Sequence, residues 1–223
     1  MAEPVHYSLT DGVATLRMDD GKANAFGHEM MQALSVALDR AAGEADVTVI
    51  RGREGVLCGG FDLKVIRGDP SGVPALVNAG QDLLMKAWLH PQPLLIGVTG
   101  HAVAAGALLV LTADHRIGMD GDFRIGLNET AIGLTLPAFA IELAEARLDR
   151  RALTMATVGA RLYAPTNALD VGYLDQVAVP GNFDEALAAA AEQMKQLDKA
   201  AVAGVKQRLR GAAAARVAQG NSV

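Results

Sequence analysis

Short apolar runs followed by glycine and other small residues recur along the chain, and this order limits the folds open to it. Residues 47–50 read VTVI and lead towards CGGFDL at 58–63. Residues 94–98 read LLIGV and run into GHAVAAG at 100–106. Runs of four or five mainly aliphatic residues are typical of a strand that is buried on both faces. Small residues after such a strand indicate a tight turn into a helix. The pattern therefore predicts an α/β fold.

Hydrophobic periodicity and turn residues locate the other elements in the first part of the chain. The predicted elements are, in order, a β-hairpin from residues 5–9 and 13–18, a helix over 28–42, a strand at 47–51, a loop at 68–72 with a helix after it, and strand, short helix and strand between 94 and 119. No internal repeat or linker is visible that would divide the chain into independent domains.

The last part of the chain, from about residue 183 to 218, is rich in alanine and predicts helical structure. Gly204 and Gly211 are expected to break or kink it. A basic run lies in the same segment: Lys206, Arg208 and Arg210. We interpret this run as a solvated helix face, with contact to an adenine or a phosphate as the alternative.

Composition excludes several classes of protein. The chain has 223 residues, of which 51% are hydrophobic and 20% charged, enough for one sizeable core. A net charge of -5 argues against a general nucleic-acid binder. The single cysteine, Cys58, excludes an intramolecular disulfide framework, and the five histidines lack metal-ligand spacing. No apolar run has the length of a membrane span and no signal peptide is visible, so we expect a cytoplasmic location and no membrane partner.

Glu129 is the best candidate for a catalytic base. It is a single carboxylate among apolar residues, with Gly126 and Gly133 on either side. Apolar surroundings disfavour the charged form of a carboxyl group, which raises its pKa and makes it a useful proton carrier near neutral pH. The alternative is a helix-capping or surface glutamate.

The two glycine-rich turns are candidates for binding a developing negative charge. N–H groups at a helix start point outward and carry partial positive charge, and adjacent glycines allow close approach of a ligand. Two strand-to-helix turns can therefore supply two convergent donors, which is an oxyanion hole. Ordinary tight turns in an α/β core are the alternative for each segment taken alone.

Five motifs resemble those of the crotonase (enoyl-CoA hydratase/isomerase) superfamily in order and spacing. They are Asn24-Ala25-Phe26, CGGFDL, GHAVAAG, GLNETAIGL at 126–134 and APTNALDVGYLDQV at 164–177. The resemblance extends from about residue 5 to 179. The sequence around Glu129 is most similar to the Δ3,Δ2-enoyl-CoA isomerase branch. It implies a crotonase-like spiral of repeated ββα units over residues 1–180. Residues 181–223 would form a C-terminal helical region, in the same domain or as a trimerisation segment.

One departure from the hydratase pattern favours isomerisation. Hydratases of this superfamily carry a glutamate two residues after the last glycine of the second oxyanion segment, where this chain has Leu108 after Gly106. Hydration needs one carboxylate to activate water and help from a second, whereas migration of a double bond needs only one. The resemblance therefore implies an enzyme that shifts a 3-enoyl-CoA to the conjugated 2-enoyl-CoA, as in fatty-acid β-oxidation.

The resemblance also implies roles for individual residues. The thioester oxygen would lie between the main-chain N–H groups of Phe61 and Ala105, and Glu129 would carry a proton from C2 to C4. The positions expected to contact substrate or CoA are Lys22, Ala23, Ala25, Gly60, Asp62, Leu63, Lys64 and Asn128. For Asp62 and Asn128 helix capping is the alternative, and for the lysines a solvated surface. CoA is part of the substrate, so no separate cofactor and no metal are expected.

The partners implied are an acyl-CoA thioester and further copies of the chain, as a homotrimer or a dimer of trimers. No helix is visible after residue 218 that would close over the acyl pocket, so we expect an open pocket or one covered by a partner subunit. Two other functions stay open. One is another crotonase-type reaction, namely thioester hydrolysis, decarboxylation or hydration; the other is non-catalytic binding of CoA esters.

Overall fold

The computed structural model describes residues 3–68 and 70–220, which form two parallel or mixed sheets and the helices around them. The strands are β1 Val5–Thr10, β2 Val13–Met18, β3 Val47–Arg51, β4 Gly55–Cys58, β5 Leu94–Val98, β6 Gly100–Val103, β7 His115–Met119, β8 Ile125–Gly126 and β9 Gln176–Ala178. The α-helices are α1 His28–Glu44, α2 Leu63–Gly68, α3 Val73–Trp88, α4 Ala105–Thr112, α5 Ala138–Arg147, α6 Leu153–Thr157, α7 Pro165–Val171, α8 Phe183–Lys195 and α9 Lys199–Gln219. Short 3₁₀ helices are Pro70–Gly72, Thr130–Ile132 and Pro180–Asn182.

The predicted α/β spiral is confirmed by the way in which successive strands separate into two sheets. The larger sheet has the order β1-β2-β3-β5-β7-β9, in which only β1 runs antiparallel to its neighbour. The smaller sheet has the order β4-β6-β8 and is parallel. After the β1–β2 hairpin, the units that begin with β3, β5 and β7 each give their first strand to the large sheet and their second to the small one, before a helix returns the chain.

The hairpin, the strand at 47–51 and the elements between 94 and 119 lie where the sequence predicts them, and α1 extends two residues beyond the predicted end. The predicted loop at 68–72 is wrong in part. Gly68 ends α2, and a 3₁₀ turn follows at Pro70–Gly72. Asp69 lies outside the described residues.

Helices cover both faces of the large sheet, which explains the continuous apolar runs in its strands. One cluster of buried side chains lies between the sheet and α8, and includes Val49, Leu95 and Leu187. On the other face Ile50 and Ile96 pack into the main core with α1, α3 and α4. Within the described residues, no helix is long and apolar enough to cross a membrane.

Of the breaks or kinks predicted at Gly204 and Gly211, the breaks are wrong, because α9 runs through both residues. The interruption lies earlier, between α8 and α9, where the side chain of Asp198 accepts a hydrogen bond of 2.8 Å from the backbone N–H of Ala201. Such an N-cap satisfies one of the free donors at a helix start and favours initiation there. A single glycine in a helix costs about 1 kcal/mol relative to alanine, which packing of the long helix offsets.

The predicted solvated face at Lys206 and Arg210 is also wrong, although Arg208 is exposed. Lys206 and Arg210 are one helical turn apart, and both are buried against Asp114, with N–O distances of 2.5 and 2.8 Å. Lys206 also donates to the carbonyls of His90 and Gln92, at 2.7 and 2.6 Å. Arg210 donates to a further carbonyl at the end of α3. Lys206 and Arg210 therefore hold α9 against the core.

Replacing Asp114 by Asn should destabilise the protein strongly, because two buried cations would lose their anion. Breaking a buried ion pair from one side typically costs about 3–5 kcal/mol. We expect a fall of that size in the free energy of unfolding, measured by urea denaturation. The matched control is Asp39→Asn, which breaks an ion pair with Lys86 at an Asp side chain that is 66% exposed. It should cost about 0–1 kcal/mol; equal effects of the two substitutions would contradict the burial argument.

Candidate active site

The three strands of the small sheet end at one edge, and each leads directly into a turn that carries a candidate group. β4 leads to Phe61, β6 to Ala105 and β8 to Glu129. Because the strands are parallel and adjacent, the three turns lie side by side. The crevice at the carboxyl ends of parallel strands is a common place for ligands to bind in α/β proteins.

The first turn is held by residues 22–26, which pair with it like an additional strand. The N–H of Gly59 donates to the carbonyl of Ala23 at 2.9 Å, and the N–H of Phe26 donates to the carbonyl of Gly60 at 2.8 Å. Asn24, which is fully buried, donates from Nδ2 to the carbonyl of Leu57 at 3.1 Å and to a carbonyl at the end of β2 at 3.0 Å. Asn24 therefore positions the motif that includes Ala23 and Ala25 beside the turn after β4.

Small residues bring the first and second turns into contact. Gly60 has φ = +101°, and a Cβ on it would lie 3.0 Å from the Cβ of Ala104 and 3.8 Å from the backbone nitrogen of Ala105. A Cβ on Gly106 would lie 2.1 Å from the carbonyl oxygen of Cys58, so the start of α4 rests against the end of β4. Larger residues at these two positions would force the turns apart.

The backbone N–H groups of Phe61 and Ala105 donate no hydrogen bond within the described residues. Ala105 is the first residue of α4, where N–H groups have no partner inside the helix. The ring of Phe61 packs edge-on to that of Phe26, with the ring centroids 6.4 Å apart, and lies close to Gly80 of α3. Two unpaired donors on adjacent turns are the arrangement that an oxyanion hole requires.

Glu129 lies at the start of the 3₁₀ turn after β8 and is held by that turn. Its carbonyl accepts hydrogen bonds from the N–H groups of Ile132 and Leu134 at 3.0 and 2.9 Å. The hydroxyl of Thr130 donates to the carbonyl of Val158 at 3.0 Å, which joins the turn to the segment after α6. The main chain around Glu129 is therefore fixed on both sides.

The Glu129 carboxyl group is buried, with 9% of the residue exposed, and its Oε2 has no hydrogen-bond partner in the described structure. Burial raises the pKa of Glu129 above its ordinary value of 4.5, outweighing the lowering effect of the backbone N–H groups of Glu129 and Asn128. The side-chain Oδ1 of Asn128 is likewise buried without a partner, so this residue does not cap the turn with its side chain. Glu129 and Asn128 therefore each carry a buried oxygen atom without a partner among the described residues.

A cleft of about 260 Å³ lies at this edge of the small sheet. It is lined by Gly59, Phe61, Leu63, Ile66, Arg67, Val103, Ala104, Asn128, Glu129, Ile132 and Leu134. Glu129 is the one carboxylate among these lining residues. In the described part of the chain, no group of three or more histidine, cysteine, aspartate or glutamate side chains is arranged to hold a metal ion.

The structure brings together most of the predicted site residues, in different ways. Phe61, Leu63, Asn128 and Glu129 line the cleft, whereas Gly60 and Ala105 form the contact between the turns. Four predicted positions lie beside the first turn rather than in the cleft wall: Lys22, Ala23, Ala25 and Lys64. Asp62 is at the N-cap position of α2, where its Oδ1 accepts from the N–H of Lys64 at 2.9 Å.

Several lining residues were missed from the sequence, among them Ile66, Arg67, Ile132 and Leu134. For α2 a signal exists, because Leu63, Ile66 and Arg67 are separated by three and four residues and share one helix face. Ile132 and Leu134 follow Glu129 in an irregular turn, and no periodicity indicates where their side chains lie.

A family model for enoyl-CoA hydratase/isomerase matches residues 8–222, nearly the whole chain. The chain belongs to the enoyl-CoA hydratase/isomerase family. The resemblance of the five sequence motifs is thereby confirmed. An enoyl-CoA hydratase/isomerase family protein from Pseudomonas syringae is 37% identical and superimposes with a TM-score of 0.95, covering 98% of this chain and 95% of that one.

Named relatives include both isomerases and hydratases. A Mycobacterium tuberculosis protein described as an enoyl-CoA isomerase, and elsewhere as a probable enoyl-CoA hydratase, is 36% identical, with a TM-score of 0.93 over 99% of this chain and 97% of that one. Human mitochondrial enoyl-CoA delta isomerase 1 is 30% identical over 171 residues, 74% of this chain and 57% of that protein. The chain thus matches little more than half the length of that curated relative.

Replacing Glu129 by Gln should make the stability of the folded protein less sensitive to rising pH. A carboxyl group whose pKa is raised in the folded state loses its proton first in the unfolded state, so stability falls as pH rises from about 4.5 through the raised pKa. The free energy of unfolding of Glu129→Gln, minus that of the unchanged protein, should therefore increase with pH over that range and then level off. Thermal unfolding measured between pH 4 and 8 checks this. Glu145→Gln, at an exposed position of α5, controls for the substitution itself; a pH-independent difference for Glu129→Gln would contradict burial of the charge.

Proposed function

We propose that this family member is an enoyl-CoA isomerase that shifts the double bond of a 3-enoyl-CoA to the conjugated 2-enoyl-CoA. The observation that carries the proposal is the single carboxylate in the cleft, that of Glu129, beside two turns whose N–H groups at Phe61 and Ala105 have no partner among the described residues. Because the chain matches only part of the length of the human isomerase, the reaction is assigned from this geometry as well as from the family.

In the proposed reaction the thioester oxygen binds between the N–H groups of Phe61 and Ala105. Glu129, as the carboxylate, removes a proton from C2, and the negative charge moves onto the thioester oxygen as the C3–C4 double bond becomes conjugated. The protonated Glu129 then delivers its proton to C4, which leaves a 2-enoyl thioester and regenerates the carboxylate. General acid–base help of this kind contributes about 10²–10⁴-fold in rate, and one well-placed oxyanion donor about 10²–10³-fold.

Hydration is the competing reaction in this family, and the cleft supports it less well. The position at which the superfamily's hydratases carry a second glutamate is Leu108, which is buried in α4 and is not among the residues that line the cleft. Among the described lining residues there is no second carboxylate to assist water. A proton that moves between two carbons of one substrate needs only Glu129.

The positions beside the cleft fit the remainder of the substrate. We place the CoA moiety against residues 22–25 and the turn after β4, where Lys22, Lys64 and the main chain of Gly60 adjoin the cleft. Asp62 and Leu63 would shape the same wall from the start of α2. Assembly into a trimer or a dimer of trimers is part of the same proposal and is tested by the mass of the protein in solution.

Replacing Glu129 by Gln should abolish isomerisation and leave affinity for the thioester largely unchanged. The amide retains the size of the carboxyl group but does not accept the C2 proton. Formation of the conjugated product from a trans-3-enoyl-CoA, followed by absorbance, measures the rate, and calorimetry with a saturated acyl-CoA measures the affinity. Glu145→Gln should retain full activity. Near-normal turnover by Glu129→Gln, or free CoA thiol as the product of the unchanged protein, would overturn the assignment.

Removing the N–H of Ala105 should slow the reaction by about 10²–10³-fold. Lactic acid in place of Ala105 keeps the methyl group but puts an ester oxygen where the N–H stands, which no side-chain substitution achieves. Because this N–H has no partner within the described residues, the fold should lose little stability. The control is the same replacement at Ala107, one position beyond Gly106 in the same helix, which should retain most of the activity. Equal rates for the two esters would exclude Ala105 as an oxyanion donor.

A further inference from the structure

Arg67 is a charged side chain in the wall of the proposed acyl cleft that the proposed reaction does not use. It lies in the last turn of α2, exposed, on the same helix face as Leu63 and Ile66. These three residues line the cleft together with Ile132 and Leu134 from the turn after Glu129. An arginine therefore stands in a wall that is otherwise mostly apolar.

No described residue supplies a partner for the Arg67 guanidinium. Several arginines elsewhere in the fold are held by acidic groups or carbonyls, such as Arg51 by Asp184 at 2.8 Å, Arg116 by Asp175 at 2.6 Å and the guanidinium of Arg147 by a carbonyl at 2.7 Å. Within the described residues, Arg67 makes no ion pair or hydrogen bond of this kind. Its five N–H donors are thus available to a molecule in the cleft.

Among the described residues, no nearby charge compensates that of Arg67. On its own helix the nearest charged neighbours are Lys64, which is a cation, and Asp62 at the N-cap, whose Oδ1 is occupied by the N–H of Lys64. From the facing turn the one ionisable lining group is Glu129, which is buried and is not paired with Arg67. A planar guanidinium with free donors matches a carboxylate or a phosphate, which it can bind through two parallel hydrogen bonds.

We propose that Arg67 binds an anionic group carried by the substrate, either a carboxylate on the acyl chain or a phosphate of CoA. The inference rests on the proposed function for the orientation of a thioester in this cleft. Arg67 would act as a specificity residue, because it touches the substrate away from the reacting carbons. A charge-assisted hydrogen bond contributes about 1.5–3 kcal/mol, which corresponds to about 10–100-fold in affinity.

The test compares four unreactive saturated thioesters by calorimetry: hexanoyl and adipoyl groups, each on CoA and on pantetheine. Adipoyl adds a terminal carboxylate, and pantetheine lacks the phosphates of CoA. Arg67→Met keeps most of the side-chain length without the charge. Arg150→Met makes the same change at an exposed arginine outside the cleft and away from the proposed CoA site, and is the matched control.

Either of two outcomes supports the proposal. In the first, Arg67→Met weakens binding of both adipoyl thioesters at least 10-fold and spares both hexanoyl thioesters, which identifies an acyl carboxylate. In the second, it weakens both CoA thioesters and spares both pantetheine thioesters, which identifies a phosphate. Arg150→Met should change none of these affinities more than about twofold.

Three outcomes overturn the proposal: unchanged affinities in Arg67→Met, equal losses in Arg150→Met, or no binding of any thioester by the unchanged protein. Conversion of a 3-enoyl-CoA by the unchanged protein is measured in parallel. Failure of that conversion with an intact effect of Arg67→Met on binding would refute the isomerase assignment and leave the anion site standing. Conversion of the 3-enoyl-CoA without an effect of Arg67→Met on binding would support the isomerase assignment and refute the anion site.

Discussion

Parallel pairing of β4, β6 and β8 is the constraint from which the geometry of the cleft follows. Three segments that are far apart in sequence reach the same edge of one small sheet, so their turns meet without long connecting loops. The turns can lie this close only where side chains are small. A Cβ at Gly106 would lie 2.1 Å from the carbonyl oxygen of Cys58, and one at Gly60 would lie 3.0 Å from Ala104. The small residues that stand out in the sequence are therefore required by the contact between turns.

Features of the fold that depend on local sequence could be predicted well. The buried strands consist of nearly continuous apolar residues because helices cover both faces of the large sheet. The turns contain glycine because the chain passes close to itself there. Glu129 could be found for a related reason, since a lone carboxylate in an apolar stretch of sequence is itself an indication of burial. The order and spacing of the motifs then supplied the fold, which local patterns alone leave undetermined.

Features that depend on distant partners could not be predicted in this way. Lys206 and Arg210 lie on an alanine-rich helix, so the sequence predicts that they face solvent. Their partners are Asp114 and carbonyls that lie far away in sequence. The sequence likewise predicts that Gly204 and Gly211 break or kink the helix. The helix nevertheless runs through both residues, because these tertiary contacts hold it. The same applies to Arg67, whose place in the cleft wall depends on how α2 packs beside the turn after β8.

The number of carboxylates in the cleft bears directly on the reaction that it supports. Two carboxylates in one small apolar site would repel each other, and one would hold a proton more tightly than the other, which is how a pair can divide the roles of acid and base. Glu129 has no such neighbour among the described lining residues, so its proton affinity is set by burial, with no partner for Oε2. In the proposed reaction, a single group of this kind both accepts and returns the proton. Migration of a double bond needs that sequence of events, because the proton removed from one carbon is the one delivered to the other, whereas addition of water needs a second group to hold and activate the water.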